Sequence, residues 1–112
     1  MAPRIASSVL VGALIRHAES EGGFGAVVAK GDATAGAVAV ILAEKGRKAF
    51  LLERALQADG SYAWKASTQD IENEGEFQKS LDRKRRFDPD LWIVELDIAS
   101  AERFAAGMNA FG

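Results

Sequence analysis

The side chains best placed to do chemistry are a run of cations, Arg83-Lys84-Arg85-Arg86. At 100° per residue, Lys79, Arg83 and Arg86 fall on one side of a helix, opposite Phe77 and Leu81. Such a face contacts phosphates in nucleic-acid binders. It is equally the solvated face of a helix whose last-turn cations complement the helix dipole. Asp82, Asp88 and Asp90 neutralise part of the charge, and no aromatic stands on that face to stack on a base. The solvated reading is preferred, which leaves nucleic acid a disfavoured partner.

A second candidate is Gly31-Asp32-Ala33-Thr34. Asp32 could offer a carboxylate to a metal, and Gly31 with Gly36 could bring amides to an anion. The spacing is not that of a phosphate loop. A turn fixed by side-chain bonds of Asp32 and Thr34 explains the same residues. Glu53 and Glu95 stand on otherwise apolar strand faces, where a carboxylate must be paired, hydrogen-bonded or protonated. Perturbed carboxylates mark sites; the plainer reading has them reach solvent near strand ends or pair with Arg54 or Arg47. Trp92 could line a pocket or interface, but core is preferred. His17 would have to be the base of any Ser-His-Asp triad, yet no G-x-S-x-G elbow supplies its nucleophile. Gly22-Gly23-Phe24-Gly25 lies between a helix and a strand, the reverse of a dinucleotide fingerprint.

Composition narrows the chemistry further. The 112 residues carry 14 basic and 16 acidic side chains, a net charge of −2, and 48% are apolar. The length suits one domain, residues 1–112. With no cysteine, disulfides, thiolate metal sites and cysteine nucleophiles are excluded, and one histidine excludes sites needing two imidazoles. No cofactor motif is found. The start, Met1-Ala2-Pro3-Arg4 followed by apolar residues, faintly resembles a signal peptide, but Arg16, His17 and Glu19 stand where a cleavage site should be. No run is long enough to cross a membrane. The expected location is the cytoplasm.

These residues must be positioned by a small set of elements. Leu10, Val11, Leu14, Ile15 and Ala18 share one side of a first helix, which Ser7 or Ser8 could cap and Gly22-Gly23 ends. Strands follow over Phe24–Lys30, Ala35–Ala43, Lys48–Leu56 and Tyr62–Lys65. Turns are signalled by Gly31–Thr34, by Glu44-Lys45-Gly46 and by Asp59-Gly60, the last in the pattern of a type I′ turn. Asn73 and Glu76 form a capping box for a helix that stops at Phe87-Asp88-Pro89. Leu91–Leu96 is a further strand, and Ser100 caps a short last helix. Phe104, Met108 and Phe111 make that helix either a docking element or a cover for its own sheet. Ala37–Ala43 and Leu91–Leu96 are apolar on both faces, so both belong inside a sheet covered on both sides.

The expected fold is therefore α+β: a helix, a four-stranded antiparallel meander, a helix, a fifth strand completing a mixed sheet, and a short C-terminal helix, with helices on both faces. Two stretches, Gly31-Asp32-Ala33-Thr34-Ala35-Gly36-Ala37-Val38 and Arg85-Arg86-Phe87-Asp88-Pro89-Asp90-Leu91-Trp92-Ile93-Val94-Glu95, give the sequence a resemblance. From about Ser7 to Asp97 it resembles a small bacterial family, domain of unknown function 1491. The resemblance implies a compact α/β-type protein and no particular activity. The candidate binding residues are thus Asp32, Thr34, Lys79, Arg83, Arg86, Asp88, Trp92 and Glu95. The expected function is a non-enzymatic binding or protein-interaction module, self-associating or docking on a protein partner. The alternatives are a nucleic-acid-binding module or a metal-dependent nuclease with Asp32 as its first acid. The nuclease lacks its E-x-K, since Glu44-Lys45 and Glu53-Arg54-Ala55 both miss the spacing.

Overall fold

The computed structural model describes residues 5–67 and 73–108. Their order is α1 (Ser7–Ser20), β1 (Phe24–Ala29), β2 (Val38–Glu44), β3 (Arg47–Leu56), β4 (Tyr62–Ala66), α2 (Glu74–Phe87), β5 (Trp92–Asp97) and α3 (Ala101–Met108). This is the expected α+β succession. The strands form one mixed sheet in the order β1-β5-β2-β3-β4.

The expected meander holds for β2, β3 and β4 and fails at its first step. β5 lies between β1 and β2, antiparallel to the first and parallel to the second. A β1–β2 hairpin would have left β5 on an edge with one side of its backbone unpaired. Its side chains are apolar on both faces, and that calls for a neighbour on each side. The connection over residues 30–37 spans the gap of about 10 Å between alternate strands.

The alternation of side chains then sorts the core into two layers. Val38, Val40 and Leu42 of β2, Leu52 of β3, and Trp92, Val94 and Leu96 of β5 pack against α1 and α3. Ala39, Ile41, Leu51 and Ile93 point the other way, onto Phe77 and Leu81 of α2. Helices cover both faces, as expected. Phe104 and Met108 are buried in the first layer, so these two side chains of α3 cover its own sheet; Phe111 lies outside the described residues. Few large apolar side chains hold α2, chiefly Phe77 and Leu81. Their burial contributes at most about 3–6 kcal/mol, which makes its polar ties matter.

Ends and turns are set locally. Asn73 Oδ1 accepts the Glu76 N–H at 3.1 Å, the first half of the anticipated capping box. α1 has no side-chain cap. Instead the N–H groups of Ser7 and Ser8 donate to the carbonyls of Thr34 and Ala33, at 3.2 and 2.9 Å. The two-residue β2–β3 turn has Lys45 and Gly46 both at positive φ, 52° and 80°, as a type I′ turn requires. Their N–H groups donate to the Asp97 carboxylate at 2.9 and 2.6 Å. The type I′ expectation at Asp59-Gly60 is corrected: Gly60 alone of that pair has positive φ, 87°. There the loop between Gln57 and Ser61 holds Ala58, Asp59 and Gly60, closed by the Gln57 N–H donating to Ser61 O at 2.7 Å. Bonds from the Ser61 hydroxyl and then the Ser61 N–H hold the Asp59 carboxyl below its usual value near 3.8.

Candidate functional site

The two motifs that carry the resemblance meet in space. The Asp32 N–H donates to Asp90 O at 3.0 Å, and the Trp92 N–H to Ala37 O at 2.8 Å. The Trp92 indole Nε1 donates to Asp32 O at 2.7 Å. Trp92 is buried, its ring in the core and its polar edge tying the 31–36 loop. The Asp32 carboxylate accepts from the N–H groups of Thr34 and Ala35, at 3.1 and 2.8 Å. Asp32 makes the turn expected from the sequence, whereas Thr34 enters it through its backbone N–H and carbonyl. Gly31 and Gly36 press against the Asp90 carbonyl so closely that a Cβ on either would collide with backbone. The buried Ser7 hydroxyl, at the start of α1, donates to Gly36 O at 2.5 Å. Asp32, Thr34 and Trp92 thus form a junction that locks α1, the 30–37 connection and β5 together. Asp88 accepts the Asp90 N–H at 3.1 Å and shapes the turn on its far side.

The cation run divides by role. Arg85, not among the sequence candidates, is its structural member. Its Nη1 lies 2.6 Å from Pro89 O, 2.8 Å from Leu91 O and 3.3 Å from Lys30 O. Nη1 has two hydrogens, so the shorter bonds take them and Lys30 shares. Arg85 thereby ties α2 to the ends of β1 and β5. The sequence marks Arg85 only as part of the cation run and of the second motif; its role is hidden there because its acceptors are carbonyls gathered by topology. Lys84 reaches Glu53 at 2.7 Å, so that carboxylate pairs across to α2 and not with Arg54 or Arg47. Lys79 is exposed beside Glu76 at 3.7 Å. Arg83 and Arg86 are exposed on the outer face of α2.

The carboxylates do not converge. Glu95 stands between Ala26 of β1 and Ile41 of β2, whereas Glu53 is opposite Ala39 on β3. That separation is two strands and one further pair along, about 12 Å. Asp32 is occupied by amides, and Glu44 Oε2 accepts the Ala101 N–H at 2.6 Å. Among the described residues no group of three or more His, Asp or Glu side chains could hold a metal ion. His17 packs on the Phe104 ring at 4.9 Å and lies 3.9 Å from Glu21.

What remains open is an edge. β1 has β5 on one side and, among the described residues, no strand on the other. Its six residues, Phe24 to Ala29, carry no charge. Phe24, Val27 and Val28 are 62%, 44% and 52% exposed. The β1–β5 ladder slips by one residue between Val27 and Ala29, a bulge near the strand end. Beside this edge a groove of about 460 Å³ runs between β1 and α2, lined by Val28, Ala29, Leu81, Asp82, Arg86 and Ile93 among others.

A family described as a protein of unknown function, DUF1491, matches residues 5–106. The chain belongs to the DUF1491 family. It is similar to the crystal structure of a DUF1491 protein from Caulobacter crescentus CB15, with 34% identity and a TM-score of 0.79 over 90% of this chain and 94% of that one. An NMR structure of a DUF1491 protein from the same organism gives 34% and 0.77, over 92% and 94%. The solution structure of protein Atu0922 from A. tumefaciens gives 33% and 0.74, over 91% and 92%. No curated protein matches. In this DUF1491 chain both motifs build the fold, and no helix among the described residues is long and apolar enough to cross a membrane.

Proposed function

We propose that this DUF1491 protein is a non-catalytic protein-interaction module that takes an extended protein segment onto the open edge of β1. One observation carries the reading: a six-residue edge strand with no charge and three exposed large apolar side chains. Folded proteins usually blunt such an edge with lysine, proline, a bulge or a covering loop; β1 has a bulge near its end and no lysine or proline within it. Added strands gain affinity from main-chain hydrogen bonds and specificity from pockets beside the edge, the place of the β1–α2 groove. Asp32, Thr34 and Trp92 are used in scaffolding, so the reading does not draw on them. The nucleic-acid alternative drew on Lys79, Arg83 and Arg86, which are exposed; salt-dependent binding that charge reversal of these three abolishes would favour it over this reading. The proposed setting is the cytoplasm, which suits a chain without cysteine.

The test is a titration of isotope-labelled protein with capped six-residue peptides of alternating valine and threonine. Amide exchange over residues 24–29 should slow about tenfold or more at saturation, and that over β4 should not change. Unchanged exchange in β1 at millimolar peptide, in protein that light scattering shows to be monomeric, would overturn the reading.

A further inference from the structure

We infer that the occupant of the β1 edge is a second copy of this chain, paired antiparallel about a two-fold axis at Ala26. The inference rests on the interaction-module reading and names its partner. The first argument is charge. Exposed Glu19 and Glu21 stand just before β1, and exposed Lys30 just after it. Exposed Arg86 and exposed Asp82 both border the groove at Ala29 and offset each other, which leaves Lys30 as the cation of that end. The strand is therefore neutral, with an acidic end and a basic end. An isologous two-fold contact superposes opposite ends, so Glu21 of each copy meets Lys30 of the other at both ends. A parallel contact would put like charges together.

The second argument is side-chain size. Antiparallel pairing centred on Ala26 sets Gly25 opposite Val27 and Phe24 opposite Val28, so each large side chain faces a smaller one and Ala26 faces itself. The slip in the ladder falls at Val28, so the regular part of the pairing is Gly25 to Val27 about Ala26, and the Phe24–Val28 contact lies at the bulge. The product is one continuous sheet through two copies, with each open β1 edge closed by the other.

The chain has no cysteine, so a single introduced thiol reports the contact. Opposed Cα atoms in an antiparallel pair lie about 4.5–5.5 Å apart, within disulfide reach. Ala26→Cys should cross-link to a dimer under mild oxidation, and Lys65→Cys on the opposite edge should not. Light scattering on unmodified protein at about 100 µM should give twice the 12.0 kDa chain mass. Val27→Lys should return it to the monomer with unchanged circular dichroism, whereas Phe87→Lys, 85% exposed and off the strand, should stay dimeric. Should Val27→Lys fail to fold, the cysteine pair decides. A monomer at about 1 mM, a dimer that survives Val27→Lys or dissociates with Phe87→Lys, or Lys65→Cys linking as readily as Ala26→Cys would overturn the inference. A monomer whose β1 is still protected by the valine–threonine peptides removes the second copy and keeps the interaction module. Failure of both assays removes both.

Discussion

Arg85 offers the sharpest test of whether the cation run builds the fold or serves a ligand. In Arg85→Met three carbonyls lose their donor. The Leu91 carbonyl is part-buried, and a bond from a charged donor there is worth about 1.5 kcal/mol, the low end for such bonds. The Pro89 and Lys30 carbonyls are exposed and regain water, so each costs about 0.5 kcal/mol. The expected loss is about 2.5 kcal/mol. For a chain of this length that lowers Tm by about 10 °C. Urea unfolding should show the loss in the midpoint with an unchanged m-value. Arg83→Ala and Arg86→Ala should stay within about 0.5 kcal/mol of the parent. The reasoning is refuted if Arg85→Met is as stable as the parent, or if Arg86→Ala costs as much.

Glycine substitutions separate packing from propensity. Gly36→Ala drives a methyl group into the Asp90 carbonyl and the Asp32 backbone and should cost about 3 kcal/mol in calorimetry. Gly107→Ala, with open space around its Cβ in α3, should gain about 0.5–1 kcal/mol. At Asp59 the folded carboxyl titrates below its unfolded value, so its stabilising effect is present above about pH 3.8 and is lost as pH falls through the folded value. NMR titration should place its midpoint below 3.8, and Ser61→Ala should move it back up.

Periodicity carried much of the fold. The stripe at Leu10, Val11, Leu14 and Ala18 gave α1, Asn73 gave the start of α2, and the doubly apolar strands gave a sheet interior. The place of β5 was not legible. The turn chemistry of Asp32 is real but local: it bends the chain without saying which strand lies next door. The two-residue turn at Lys45-Gly46 was likewise hidden in part, since a lysine at positive φ is held by Asp97, far along the chain. Of the candidate residues, Asp32, Thr34 and Trp92 were legible as a turn and a core tryptophan, but their union with Asp90 and Arg85 required the assembled sheet. The β1 edge escaped notice because an apolar strand reads the same whether it is paired on one side or on two.

The insertion of β5 between β1 and β2 also dictates an order of events during synthesis. A nascent chain halted before Leu91 has every residue of β1 to β4, yet lacks the strand that joins the first to the rest. Its β1 is tethered only through α1 and the 30–37 connection until the ribosome delivers residues 91–97. Distant pairing of this kind slows folding, so truncations ahead of Leu91 should yield a three-stranded remnant with its first strand adrift.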